Sequence, residues 1–222
     1  MLRRFHDRTE AGQLLARELA RYADRPDVLV LGLPRGGVVV AYEVARQLHA
    51  PLDIFLVRKL GAPCNEELAL GAIATGGVRV LNGDLVERLG VSDETIDAIA
   101  RREERELERR EVAYRGHRPP VDVAGKIVLL IDDGIATGAT MHAAVDALRQ
   151  QGPAKIVVAV PTAAASSLAE FRDEADEVVV VIAPAEFYGV GEWYENFTQT
   201  ADEEVCELLD RAQQAEAGRV AR

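Results

Sequence analysis

Short, mostly apolar runs alternate with stretches of helical periodicity along this chain, and that alternation limits its fold more than any other feature. Val28–Leu33, Asp53–Val57, Ile127–Ile131, Lys155–Val160 and Val178–Ala183 read as strands. Val38–His49, Gly138–Gln151 and Ser166–Asp173 read as helices between them. Strands that are apolar throughout, rather than every second residue, are buried on both faces. The expected fold class is therefore α/β, a doubly wound, mainly parallel sheet with flanking helices. A length of 222 residues suits one domain spanning 1–222, and 48% hydrophobic residues provide a core.

Composition removes several function classes. A net charge of −11 opposes nucleic acid and anionic membranes at long range. Two cysteines far apart, Cys64 and Cys206, form neither a disulfide framework nor a metal cluster, which suits a reduced compartment. The N-terminus lacks a secretory apolar stretch, and no run approaches the length of a membrane span. The expectation is a cytoplasmic protein with a small-molecule ligand.

The remaining segments complete the frame. Residues 8–23 carry Leu14, Leu15, Leu19 and Tyr22 at helical spacing. Arg58–Gly77 contains Gly, Pro and Asn and reads as a loop with one short strand near Ala69–Ala74. Val78–Leu81 reads as a further short strand. Ser92–Arg115 starts as a helix should, with acidic residues in its first turn, then becomes so charged that it reads as a solvated helix in an insertion at about 84–118. Ala201–Gln214 reads as a closing helix and Ala215–Arg222 as a frayed tail.

Val128–Thr140, VLLIDDGIATGAT, carries the chemistry. A buried strand delivers Asp132 and Asp133 to the carboxyl edge of a parallel sheet, where ligands of such folds bind. Small residues Ala136, Thr137, Gly138, Ala139 and Thr140 then lead into a helix, leaving backbone N–H groups accessible to an anion. Carboxylates beside a phosphate cradle repel unless they face hydroxyl donors. A ligand with a diol at one end and a phosphate at the other, ribose 5-phosphate, satisfies both.

The segment resembles the motif with which type I phosphoribosyltransferases bind 5-phosphoribosyl pyrophosphate (PRPP). The resemblance extends over most of residues 5–210, through GLPRGGVVVA, VRKLGAP, DDGIATGAT and VGEWY, and is strongest to bacterial proteins known only as phosphoribosyltransferases by prediction. It implies the type I phosphoribosyltransferase fold, with Asp132 and Asp133 on the ribose hydroxyls and Ala136–Thr140 on the 5-phosphate. The same two aspartates would meet Mg²⁺, directly or through water. It implies a pyrophosphate loop at Pro34, Arg35, Gly36 and Gly37, where exposed N–H groups and a guanidinium suit an oligophosphate. Arg58 and Lys59 open the segment corresponding to the family's catalytic loop. Glu66 and Glu67 in that loop read either as a proton relay to the acceptor or as solvated loop charge. In the small C-terminal hood, at about 184–200, Phe187 and Tyr188 would stack the base, whereas Trp193, Tyr194 and Phe197 read as a mini-core.

One departure narrows the acceptor. Where hypoxanthine-guanine enzymes carry an Asp in the PRPP loop this chain has Ala136, which argues against 6-oxopurine salvage. The resemblance implies a glycosyltransferase of nucleotide metabolism, transferring phosphoribosyl from Mg-PRPP to a nitrogen acceptor such as a nucleobase. A PRPP- or nucleotide-binding regulator without catalysis is the alternative, and a homodimer is left open.

Overall fold

The computed structural model describes residues 4–63, 65–116 and 118–220. Five parallel strands form the central sheet: β1 (Val28–Gly32), β2 (Leu52–Ile54), β6 (Ile127–Ile131), β7 (Lys155–Thr162) and β8 (Glu177–Ile182), in the order β2-β1-β6-β7-β8. All five residues of β1 and of β6 are buried, as apolar runs without alternation demand. Leu29, Leu31, Val128, Leu130, Ile156 and Val158 point to one face, under α5 (Ala139–Gln150) and α6 (Ala165–Glu174). Their neighbours Val28, Val30, Leu129, Ile131, Val157 and Ala159 point to the other, under α1 (Arg8–Glu18) and α2 (Gly36–Leu48). Both faces are therefore covered, and the expected doubly wound α/β class holds.

The strand order fixes where a ligand can enter. From β1 the chain passes through α2 to β2 on one side; from β6 it passes through α5 to β7 on the other. Gly32 stands opposite Ile131, so the two strands end level and their loops diverge from one point. A crevice at the carboxyl edge is the geometric result.

Arg58–Gly77, the C-terminal tail and the charged segment before β6 differ from the sequence expectation. Arg58–Gly77 is mostly strand rather than loop. β3 (Val57–Ala62) and β4 (Asn65–Ala74) pair antiparallel, and β5 (Val78–Leu81) completes a separate three-stranded sheet. The glycines that read as loop signals have strand roles: Gly61 lies at a break in register, and Gly71 is where the backbone of Val80 comes closest. The tail expected to fray from residue 215 continues as α7 (Asp202–Val220).

The charged segment forms two helices, α3 (Gly83–Leu89) and α4 (Asp93–Arg115), and α4 is less solvated than its sequence suggests. Ser92 caps it by accepting the Thr95 N–H. Ala100, Leu107 and Tyr114 pack with Leu60 and Ile73 of the small sheet and with Val205, Leu208 and Leu209 of α7. Two of its charges are buried as well. Glu103 accepts from Arg58 at 2.9 and 2.5 Å and from Arg102 at 2.9 Å. Burial works against the Glu103 carboxylate, but the two guanidiniums outweigh it and hold its pKa below the ordinary value. Arg115 donates Nε to both oxygens of Asp53, at 2.8 and 3.0 Å, and Nη2 to the Ile54 carbonyl at 2.8 Å.

With side chains only 4% and 8% exposed, Arg115 and Asp53 clamp the end of α4 to β2. Removing one member leaves the other charge buried without compensation. Arg115→Ala should therefore cost about 3–5 kcal/mol in urea denaturation. A loss below about 1 kcal/mol would show that the clamp does not hold the helix.

Candidate active site at the carboxyl edge

Two loops meet in the crevice. Leu33–Arg35 connects β1 to α2, and Asp132–Gly138 connects β6 to α5. The Leu33 N–H donates to the Ile131 carbonyl at 2.8 Å, which ties the loops together at their root. The Pro34–Arg35 peptide bond is cis. The first glycines of α2 then pass very close to the acidic pair. A Cβ on Gly36 would lie 2.0 Å from Asp133 Oδ2, and one on Gly37 would lie 2.8 Å from Asp132 Cα. Only a residue without a side chain fits at either position, so the two motifs read separately in the sequence form one site.

Asp132 and Asp133 are half-buried side by side at the end of β6. Asp132 Oδ1 accepts the Asp133 N–H at 2.8 Å. Burial, and then the neighbouring Asp133 charge, push the Asp132 carboxyl well above the usual range. Burial also raises Asp133, but there Arg8 opposes it. Arg8 Nε donates to Asp133 Oδ2 at 2.7 Å, its Nη1 donates to the Thr198 carbonyl at 2.8 Å, and its guanidinium lies 4.0 Å from the Phe197 ring centre. Tyr194 donates its hydroxyl to the Asp133 carbonyl at 2.6 Å. Burial raises the Tyr194 pKa, so this donor stays protonated at neutral pH.

Arg8 and Tyr194 are the residues that sequence reasoning missed. Arg8 follows the α1 cap residue Asp7 and looks like any charge in a first turn. Tyr194 belonged to the expected hood mini-core, and it does pack there, 5.4 Å from the Phe5 ring and 5.0 Å from the Phe197 ring. Its reach to Asp133 is a tertiary contact with no local signal.

The small-residue loop runs over the start of α5. Gly138 caps the helix with φ of +76°, a left-handed conformation that disfavours other residues. Its position also faces the Phe171 ring, 2.8 Å from where a Cβ would sit. The loop is tied from beneath by the Ser167 hydroxyl, which donates to the Ala136 carbonyl at 2.5 Å. Ala136, Thr137, Ala139 and Thr140 are left exposed. Together with Asp132, Gly134 and Val190 they line a cleft of about 170 Å³ at a helix N-terminus, where the helix dipole and unpaired N–H groups favour an anion.

The other expected residues are more scattered. Arg35 is partly exposed, with Nη1 3.9 Å from Asp202 Oδ1. Lys59 is exposed on β3. Arg58 is drawn into Glu103 on α4. The side chains of Glu66 and Glu67, and Cys64, lie outside the described residues. In the hood, Phe187 is half-buried and Tyr188 is 84% exposed, and a short 3-10 turn follows at Val190–Trp193.

Comparison with known proteins agrees with this geometry. The profile of the family described as "Phosphoribosyl transferase domain" matches residues 5–195. The chain belongs to the phosphoribosyltransferase family. It is 49% identical over 218 residues to a Mycobacterium tuberculosis protein named "Putative phosphoribosyl transferase Rv0571c", an alignment covering 97% of this chain. That alignment covers 49% of the relative, so the chain spans about half the length of the curated relatives it matches most extensively. A "Bifunctional protein PyrR" of Pelotomaculum thermopropionicum is 30% identical over 152 residues, covering 64% of this chain and 71% of the relative. The crystal structure of TT1426 from Thermus thermophilus superimposes with a TM-score of 0.83 at 44% identity, covering 93% of this chain and 97% of that one. The fold is that of the type I phosphoribosyltransferases.

The raised carboxyls have a consequence for stability. A carboxyl whose pKa is raised on folding costs nothing below its unfolded value. The cost grows as pH rises through that value and is complete above the folded one. In metal-free, ligand-free protein, Asp132→Asn should therefore raise the melting temperature at pH 7, each kcal/mol being worth about 2–4 °C at this size. The gain should shrink toward pH 4. Calorimetry of both proteins across that range checks it; a gain of the same size at both pH values, or none at pH 7, would contradict the repulsion.

Proposed function

We propose that this protein is a phosphoribosyltransferase enzyme that transfers 5-phosphoribosyl from Mg-PRPP to a nitrogen acceptor, with a nucleobase the best fit. One observation carries the reading: a carboxylate pair and an anion cradle, built by one loop, meet a glycine turn that admits nothing larger than hydrogen beside the acids. The ribose diol would donate to Asp132 and Asp133. Hydroxyl donors would offset the repulsion that raises both carboxyls. Ala136–Thr140 would hold the 5-phosphate on the N-terminus of α5.

The reaction needs charge stabilisation where the pyrophosphate leaves. Arg35 lies at that end of the site, beside Gly36 and Gly37, and Lys59 projects from β3. Both act more strongly as negative charge builds on the leaving oxygens. Two carboxylates with raised pKa suit a divalent cation, held directly or through water. Bound Mg²⁺ would supply further neutralisation of the pyrophosphate. Arg8 and Tyr194 act on Asp133 without facing the ligand in this reading: they fix its side chain and its carbonyl. Phe187 and Tyr188 offer the base a stacking surface, with Glu66 or Glu67 as the candidate proton relay. Ala136 leaves no carboxylate in the loop for a 6-oxopurine nitrogen. A reduced, cytoplasmic setting suits such chemistry, and no helix among the described residues is long and apolar enough to cross a membrane.

One observation favours the non-catalytic alternative, a PRPP-binding regulator: Arg58 is engaged by Glu103 rather than turned to the cleft. Pyrophosphate release from Mg-PRPP, followed over a panel of nucleobases and amines, separates the two. Turnover with one nitrogen acceptor is expected. Tight PRPP binding with no turnover would favour the regulator. Asp132→Asn combined with Asp133→Asn should abolish the thermal stabilisation by PRPP, and a double variant still stabilised would refute the site assignment.

A further inference from the structure

A second cavity, about 220 Å³, adjoins the pyrophosphate loop and is larger than the cleft over the PRPP loop. Arg35 lines it from the β1–α2 loop, Arg109, Arg110, Ala113 and Tyr114 from α4, and Asp202 from the start of α7. Three guanidiniums line this one cavity, although the net charge of the chain is −11. Arg109 and Arg110 share a single carboxylate. Glu106 accepts from Arg109 at 2.8 and 2.9 Å and from Arg110 at 2.8 Å. One negative charge cannot neutralise two, so a surplus positive charge faces the cavity. The side chains of Arg109 and Arg110 are 68% and 43% exposed, which leaves them free to turn toward a ligand.

Asp202 is the acid nearest Arg35. Tyr114 donates its hydroxyl to Asp202 Oδ1 at 2.5 Å, and the same oxygen lies 3.9 Å from Arg35 Nη1. That separation is within ion-pair range but too long for a hydrogen bond. A carboxylate held between a hydroxyl donor and a guanidinium occupies the place an external anion would take. Guanidiniums bind phosphate oxygens in two-pronged fashion, and three of them suit a group with more than one phosphate.

We propose that Arg109 and Arg110 of α4 join Arg35 in a diphosphate-binding pocket, with Asp202 standing in for the anion when the pocket is empty. The identity of the diphosphate as the pyrophosphate of PRPP rests on the function proposed above, because Arg35 is common to the pocket and the pyrophosphate loop. The pocket itself does not depend on that reading. In this arrangement α4 is a binding element, and the leaving group has cationic residues on two sides.

Calorimetric titration with inorganic pyrophosphate and, separately, with ribose 5-phosphate tests the pocket. Arg109→Gln combined with Arg110→Gln should weaken pyrophosphate binding at least tenfold, leave ribose 5-phosphate binding unchanged and preserve the ligand-free melting temperature. Asp202→Asn removes the competing charge but keeps an oxygen for Tyr114, and should tighten pyrophosphate binding severalfold. A tightening cannot come from misfolding. Wild-type protein that does not bind pyrophosphate, or an arginine double variant that binds it undiminished, overturns the pocket. Absence of ribose 5-phosphate binding in the wild type, with pyrophosphate still bound through Arg109 and Arg110, would instead overturn the PRPP reading and leave the pocket standing.

Discussion

Two ionisable carboxyls on consecutive residues, half-buried at the end of a strand, repel each other, and much of the surrounding structure serves to hold them there. Arg8 neutralises Asp133 from α1, and Tyr194 fixes the Asp133 carbonyl from the hood. Gly36 and Gly37 let the start of α2 approach closely, Gly36 against the Arg8–Asp133 pair and Gly37 against Asp132. Asp132 has a backbone N–H for its Oδ1 and keeps a raised proton affinity. The site thus stores unfavourable electrostatic energy that hydroxyl donors or a cation would relieve. This is the usual relation between a binding site and the stability of its empty form.

The strand order explains why two loops distant in sequence meet at this point. Loops after β1 and β6 diverge at the switch point of the sheet, so one supplies Arg35 and the other the acidic pair and the anion cradle. The small antiparallel sheet carries Arg58 and Lys59. α4 ties that sheet to the central one, through Glu103 to Arg58 of β3 and through Arg115 to Asp53 of β2. Its charges are divided by face: those turned inward are fully paired, while Arg109 and Arg110 share one partner on the outer side.

The central sheet was legible because apolar runs of five or six residues have few alternatives to a buried strand, and Ile127–Ile131 falls where its sequence places it. The acidic pair and the small-residue turn into α5 were legible as neighbours because they are contiguous in the sequence. Arg58–Gly77 was misread because glycine at a register break or a close strand crossing looks, in one dimension, like glycine in a loop. α4 was misread as solvated because Glu103 and Arg115 count as surface residues until their partners Arg58 and Asp53, more than forty positions away, are known. Arg8 failed for the same reason: its partner is 125 residues distant. The glutamates of the β4 segment had two readings in the sequence, and proton relay and solvated charge both remain.

The ladder between the first residues and the hood bears on how the protein comes to be made. The Phe5 N–H donates to the Trp193 carbonyl, and the Glu195 and Asn196 N–H groups donate to the Phe5 and His6 carbonyls. These contacts close a loop that encloses the whole central sheet, so their entropy cost is met only after that sheet exists. During synthesis, Asp133 leaves the ribosome with Arg8 already made but with Tyr194 and Thr198 still to come. A nascent chain would therefore hold β6 and its acidic pair before the residues that fix Asp133 from the far side are made.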